Sequence, residues 1–565
     1  MDIKKEEKKV RYNITPFEFN EELDLQYHQA WFLDGIHSVP PWTPMFAWSW
    51  VNYCRHGMQW GAEQLSLPTC KGWDWRLKNG GGYLTMLIVD DPAEIKAREA
   101  EFKKRLIPFI ENYDQVWQEF LTEMMGCYEE LKSFDVESAS NINLLGHFDK
   151  TLEVNKRMWE IHFYMMYVVF GVFILFESLC KEMLGIDDTH PEFHALMRGF
   201  DNKVFQVDKR IWEFSRQADE AGLRQIFLEL EPKEYIKALE EDEQGVIWFE
   251  QFKAFLKEDG WRANRMSEFN VPLWVEDPTP ALVGVKQFLM KGAQFNLEIE
   301  RERLAAARQA MEEKVLDKVP QEQRKWFKTV MELAQKSSSF SEEHNHYLDL
   351  YAHALVRRAL MAWGRRLQAA GSINEVDDIL YLIPDEVRKA AIQPTHCNLR
   401  PTVAERKREW EEWCRQENPP MIANISMEEA MEMMIRANDP IVLKVVVGSF
   451  PVPKPELKAD LYGVSGSPGI AEGIARLVLN DDDLAQVQED EILVAPSTYP
   501  SWTPVFSLLK GVVVDRGASL SHAAIVGREY DIPVVMNVFD GSKKIKTGQR
   551  IRVDGNLGVV YILDK

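Results

Sequence analysis

DRGASLSHAAIVGREYDIPVV, residues Asp515 to Val535, is the stretch on which the reading of this chain turns. It follows the apolar run GVVV (Gly511 to Val514), so a strand meets a Gly/Ser turn and then a helix-forming segment, with His522 at the hand-over. Ser519 and Ser521 can each serve as N-cap. Either choice puts His522 in the first turn, where backbone N–H groups and the positive end of the helix dipole favour an anion. A neutral imidazole is a nucleophile, and a phosphoryl group on its nitrogen passes readily to a second acceptor. His522 is therefore the first candidate catalytic residue, with Ser521 beside it. Arg528, one to two turns further along the same helix, is a candidate for the phosphate charge or a partner of Glu529.

The segment resembles the mobile phosphohistidine domain of phosphoenolpyruvate synthase, pyruvate phosphate dikinase and related enzymes. The family pattern is an acidic residue, a Gly pair, then Ser/Thr-His-Ala-Ala-Ile-Val-Ala-Arg-Glu and Ile-Pro-Ala-Val. Asp515, Gly517, Ser521 to Val526, Arg528, Glu529, Ile532 and Pro533 match it; Ala518 replaces the second Gly and Gly527 replaces Ala. The similarity extends upstream through SGSPGIAEG (Ser465 to Gly473) and PSTYPSWTPVF (Pro496 to Phe506). By this resemblance His522 carries the phosphoryl group.

A chain of 565 residues with 45% hydrophobic content is too long for one core, and several domains are expected. The formal net charge of -22 argues against nucleic acid or an anionic membrane surface, which need clustered Lys and Arg. The 6 cysteines are widely separated and contain no C-x-x-C pair, as reduced thiols of a cytoplasmic protein would be, and no metal-ligand set is read from them. MDIKKEEKKVRYN alternates charge and has no signal-peptide core. The longest apolar run, FYMMYVVFGVFILF (Phe163 to Phe176), spans about 21 Å as a helix, short of the roughly 30 Å of a bilayer core, so a buried helix is expected. Its rings belong either to the core or to a pocket for an apolar substrate.

Pro40 to Val89 is rich in Trp, Gly and Pro, and GGGYLTMLIV reads as a turn feeding a strand. From Pro92 to Ala437 the pattern is helical, including Glu298 to Lys318 and Glu342 to Ala370, with Gly371 suited to a C-cap and Ser426 to the N-cap of Met427 to Ala437. ENPPM (Glu417 to Met421) and FPVPKPELK (Phe450 to Lys458) have the composition of connectors. Beyond them ARLVL, EILVAPS, GVVVD, IPVVM, RIRVDG and GVVYIL are short and strand-like, the pattern of a compact β/α domain. The expected architecture is multidomain α+β: a mainly helical acceptor-binding domain over residues 1–440, a Pro-containing linker over 441–460, and a small swivelling β/α phosphohistidine domain over 461–565.

The helical region is also similar to the middle domain of rifampin phosphotransferase and of the phosphohistidine subunit of phenylphosphate synthase. PPWTPMF (Pro40 to Phe46), NGGGY (Asn79 to Tyr83), WEIHFYMMY (Trp159 to Tyr167), Glu342 to Ile373 and DDILYLIPDEV (Asp377 to Val387) carry this likeness, which implies that the region binds an organic acceptor. A hydroxyl acceptor needs a base, and His162, His344 and His346 are the candidates, the last two close after Glu342 and Glu343. There is no Gly-Lys dipeptide and so no Walker A loop, and no room is found for the ATP-grasp module or the pyruvate barrel of the dikinases. ATP and Mg2+ are accordingly expected on a separate ATP-grasp subunit, with a small hydroxylated aromatic compound as acceptor, as the phenylphosphate synthase likeness implies. A rifampin-type phosphotransferase component and a non-catalytic phosphocarrier are the alternatives.

Overall fold

The computed structural model describes residues 17–265, 268–442, 444 and 455–564. It is mostly helical, with a separate eight-stranded sheet near the C-terminus. The chain divides into two compact units: residues 1–164, 267–270 and 352–437, and residues 165–266, 271–351 and 438–565. Most of the connector expected at 441–460 and the charged N-terminal segment lie outside the described residues.

The first unit holds a four-stranded antiparallel sheet in the order β2-β3-β1-β4, built from β1 (Ala30–Leu33), β2 (Cys70–Lys78), β3 (Gly81–Ile88) and β4 (Met421–Ala423). Asn79 and Gly80 both take positive φ, the geometry of a two-residue hairpin turn, so the glycine-rich stretch joins β2 to β3. Trp42, Phe46, Trp50, Trp75 and Trp159 pack ring against ring behind this sheet, which accounts for the Trp density of the N-terminal region as core. Met427–Ala437 begins with a reciprocal cap, Ser426 Oγ accepting from the Glu429 N–H and Glu429 from the Ser426 N–H, as the spacing predicts. Gly371, at φ 78°, closes the helix before it.

The helical part of the second unit includes Lys203–Glu220, Glu243–Asp259, Thr279–Met290, Leu297–Lys318 and Arg324–His344. The first three share a core of Val207, Ile211, Phe214, Trp248, Phe252 and Phe288. The apolar run Phe163 to Phe176 is buried as expected, but it does not stand alone: it lies inside a 44-residue helix, Asn141–Leu184. By length and composition only, that helix is long and apolar enough to cross a membrane, which corrects the estimate from the run itself; 67% of its most apolar window is buried. Phe173 and Phe176 pack on Phe193, and Phe176 on Phe327, as core residues do. The helix expected from Glu342 to Ala370 is not continuous. It is broken by a π-helical stretch, Asn345–Tyr351, before Ala352–Ala369 resumes.

The second sheet comprises β5 (Leu461–Tyr462), β6 (Val464–Ser467), β7 (Ile470–Leu477), β8 (Ile492–Ala495), β9 (Gly511–Val514), β10 (Val534–Met536), β11 (Arg550–Asp554) and β12 (Val559–Ile562), in the order β5-β12-β11-β7-β8-β9-β10-β6. β7, β8, β9 and β10 run parallel, and their residues alternate between two cores. Leu493, Val512, Val514 and Val534 face Ala523, Ala524 and Val526 of the helix His522–Glu529. Ile492, Val494, Val513 and Val535 face Ile551, Val553 and Val560, because β11, β12 and β5 fold over the other side. Strands buried on both faces read as unbroken apolar runs, as these do in sequence. β5 and β6 stand at opposite ends of the strand order yet are separated only by Gly463, so the two edges meet there. The Gly463 N–H donates to Gly558 O at 2.7 Å, and a Cβ on Gly463 would lie 2.3 Å from Met536 O.

Candidate functional site

His522 is the first residue of its helix, directly after Ser521 at the N-cap position. The Ser521 side chain makes no cap bond; its hydroxyl lies 3.6 Å from Met536 Sδ. Ser519, the other candidate cap, instead bonds Asp188. His522 follows the carboxyl end of β9, and Thr498 follows the carboxyl end of the adjacent parallel strand β8, the side of such sheets where ligands are handled.

Two hydroxyls hold the imidazole. Thr498 Oγ1 lies 2.9 Å from Nδ1 and Thr503 Oγ1 3.2 Å from Nε2. The single hydroxyl proton of Thr503 goes to Pro500 O at 2.9 Å, which leaves its oxygen to accept from Nε2–H. Nδ1 then takes the Thr498 proton. This network assigns a neutral imidazole with both nitrogens engaged. Burial, and then the charge of Arg262, push the His522 pKa down to about 3, so the ring is neutral at any ordinary pH.

Arg262 is a residue that sequence reasoning missed. It is 1% exposed, and none of its three guanidinium nitrogens has a hydrogen-bond partner among the described residues. Its charge rests 4.5 Å over the Trp274 ring. A short turn fixes it: Trp274 N–H donates to Arg262 O, and Trp274 Nε1–H to Asn264 Oδ1 at 2.8 Å. Asn264 O in turn accepts from Ser501 Oγ at 2.7 Å, in the loop that precedes Thr503. The Arg262 charge acts on the neutral imidazole of His522, and none of the guanidinium nitrogens is hydrogen-bonded to a carboxylate among the described residues.

Four further buried groups share the field of Arg262: Asp208, Glu342, His346 and Asp259, the last already paired with Lys203 and Arg210. Asp208, from Lys203–Glu220, and Glu342, from Arg324–His344, have their carboxyls pushed up to about 8, in each case first by burial. The charge of Asp208 raises Glu342 further, and Arg262 opposes both shifts. His346 is pushed well below its ordinary value by burial and then by Arg262. Asp208 Oδ2, both Glu342 oxygens and His346 Nδ1 lack hydrogen-bond partners among the described residues. Of the three histidines expected as bases, His346 thus shares Arg262 with His522. His344 gives Nδ1–H to Phe340 O at 2.9 Å and turns Nε2 toward Asp349, 3.8 Å away. Asp349 is thus a carboxylate neighbour of His344. His162 lies in the first unit, with ring centroids 5.0 Å from Trp159 and 4.5 Å from Phe163.

Two of the three guanidinium nitrogens of Arg528 are taken up by backbone carbonyls. The residue is 2% exposed and donates to Gly466 O and Ser519 O, both at 3.0 Å, tying the helix to β6 and to the turn before His522. Its charge and that of Glu529 attract each other, while the Glu529 carboxylate accepts from the Gly199 N–H at 2.9 Å. With His194 Nε2 3.2 Å from Ser465 Oγ and Lys444 between Glu177 and Asp188, these contacts seat the sheet on the helices of the same unit. His194 is pushed down to about 3 by burial, then by the Arg528 charge.

The helices and the sheet match two family descriptions. Residues 487–558 match the PEP-utilising enzyme mobile domain, and residues 158–342 the rifampicin phosphotransferase fourth domain. Among curated relatives, chondramide synthase cmdD of Chondromyces crocatus is 30% identical over 72% of this chain and 10% of its own length. An uncharacterized phosphotransferase YvkC of Bacillus subtilis is 25% identical over 72% of this chain and 47% of its own. Rifampicin phosphotransferase of Bacillus subtilis is 29% identical over 54% of this chain and 34% of its own. The chain spans less than half the length of each of these relatives. His522 and its strand-to-helix turn fall inside the first match, and Asp208, Arg262 and Glu342 inside the second. The chain belongs to the phosphohistidine-swivel family, the enzymes built around a phosphoenolpyruvate-utilising mobile domain.

Proposed function

We propose that this chain is the phosphohistidine-carrying component of a phosphotransferase, and that His522 takes a phosphoryl group and hands it to the hydroxyl of an organic acceptor. The observation that carries the reading is a neutral imidazole at a helix start, held by Thr498 and Thr503 and within the field of Arg262, whose guanidinium has no hydrogen-bond partner among the described residues. A neutral ring is ready to attack phosphorus, and the guanidinium suits the charge that arrives on it. ATP chemistry is assigned to a separate ATP-grasp polypeptide with its Mg2+, and a swivel of residues 461–565 carries the group between stations. The acceptor is a hydroxylated aromatic compound of the phenol type. The match of residues 158–342 to a rifampicin phosphotransferase domain supports a second reading equally well, an acceptor of the rifampicin type.

The reading is tested by exposing the full chain to phosphoramidate, a small phosphoryl donor, and following acid-labile phosphate by intact mass. Wild type acquires one group and His522→Ala none; equal loading of the variant removes His522 from the mechanism. Chasing loaded protein with phenol, cresols and rifampicin then separates the two acceptors. With the ATP-binding partner present, label must enter from the β-phosphoryl of ATP.

A further inference from the structure

Arg262, whose charge reaches His522, also reaches Asp208, Glu342 and His346. Four buried side chains from three segments leave Asp208 Oδ2, the three guanidinium nitrogens of Arg262, both Glu342 oxygens and His346 Nδ1 without hydrogen bonds among the described residues. Unsatisfied buried groups of this kind cost about 1–3 kcal/mol each, more when charged, so a fold concentrates them where a ligand completes the set. Their placement is built rather than incidental. Arg324–His344, which carries Glu342, packs against both Lys203–Glu220, which carries Asp208, and His522–Glu529. Glu342 occupies the last turn before the π-helical stretch that carries His346.

We propose that Glu342 is the general base of phosphoryl transfer, taking the proton of the acceptor hydroxyl while Arg262 holds the phosphoryl oxygens. This rests on the assignment of phosphate to His522. The step balances simply. The acceptor oxygen forms the O–P bond, the N–P bond to His522 breaks, and its electron pair returns to the imidazole. The hydroxyl proton passes to the Glu342 carboxylate, and the product is a phosphate monoester. The carboxyl, raised to about 8, lies close enough to neutrality both to hold and to release that proton. Asp208 is a positioning residue: its charge raises Glu342, and its own attraction to Arg262 keeps the guanidinium in place. A histidine base was the natural expectation. His346 fits the role less well, because burial and Arg262 together disfavour its protonated form.

The test uses full-length wild type, Glu342→Gln and Glu342→Asp, each loaded with phosphoramidate. The readout is the rate at which the loaded group leaves to phenol, or to water where phenol is not taken. Gln is the same size as a protonated Glu, so Glu342→Gln is expected to load His522 as wild type does, to melt no earlier, and to release the group about 100-fold more slowly. Glu342→Asp should recover part of the rate. Release from Glu342→Gln within twofold of wild type overturns the proposal while leaving phospho-His522 intact. Equal loss of loading and melting temperature in both variants makes Glu342 structural and also overturns it. A wild-type chain that never loads His522 overturns the underlying assignment instead.

Discussion

Gly527 and Val534 sit against each other where the His522 helix crosses β10. A Cβ on Gly527 would lie 2.2 Å from Val534 Cγ2, an impossible approach. The family pattern has Ala at both places, so the helix has lost one carbon where the strand has gained two. We expect Gly527→Ala to cost about 1–3 kcal/mol through overpacking, despite the better helix propensity of Ala. Val534→Ala in the same chain should restore most of the loss. Chemical denaturation of the two single variants and the double variant checks this: additive losses would show that the residues do not share one space. The same scale explains what sequence could and could not reveal of the site. His522 stands in a contiguous motif at a legible strand-to-helix turn. Asp208, Arg262 and Glu342 come from three distant segments that only tertiary packing unites. The available signal was a charge in phase with an apolar stripe: Asp208 shares a helix face with Val204, Val207 and Ile211, all buried.

Between elements, Thr279–Met290 seats on the short helix Thr503–Phe506, which carries one of the two hydroxyls on His522. Gly284 allows it: a Cβ there would meet Ile211 Cγ2 at 3.2 Å and Pro504 Cγ at 3.4 Å. Gly284→Ala should be nearly neutral, since a helix gain of up to about 1 kcal/mol offsets the closer contact. Gly284→Leu adds carbons with nowhere to go and should lose about 1–3 kcal/mol, with slower loading of His522 as Thr503 shifts. A leucine variant as stable and as quickly loaded as wild type would refute this account. Elements were legible in proportion to their apolar signal. All six strand-like runs after the connector are strands, because β8, β9 and β10 are buried on both faces. β5 and β6 escaped notice, being only LY and VSGS. The π-helical stretch at Asn345–Tyr351 also escaped, because one extra residue per turn hardly alters an apolar pattern.

For the molecule as a whole, the buried carboxyls and imidazoles set opposing pH trends. Asp208 and Glu342, raised to about 8, bind protons in the folded state at pH values where the unfolded chain, with carboxyls near 4, has lost them. Stability therefore falls as pH rises through that window. His194 and His522, lowered to about 3, act the other way up to their unfolded value of about 6.5, since the unfolded chain then binds the extra protons. Above about pH 7 the imidazoles are neutral in both states and only the carboxyl trend remains. The melting temperature should thus fall between about pH 7 and pH 9, and Glu342→Gln should flatten the fall; calorimetry that finds a level or rising trend refutes it.

Gly463, where the first and last strands of the second sheet meet, bears on how such a body can travel. An open sheet that left its seat would expose a row of unpaired backbone groups, the template on which aggregates grow. Here β5 pairs with β12 and β6 with β10, and the chain passes from one terminal strand to the other through Gly463 alone, which brings the two open sides of the sheet together at that point. The swivel proposed for residues 461–565 would break side-chain contacts such as Arg198–Asp531 and Lys291–Glu489 and would leave the strand ladder whole.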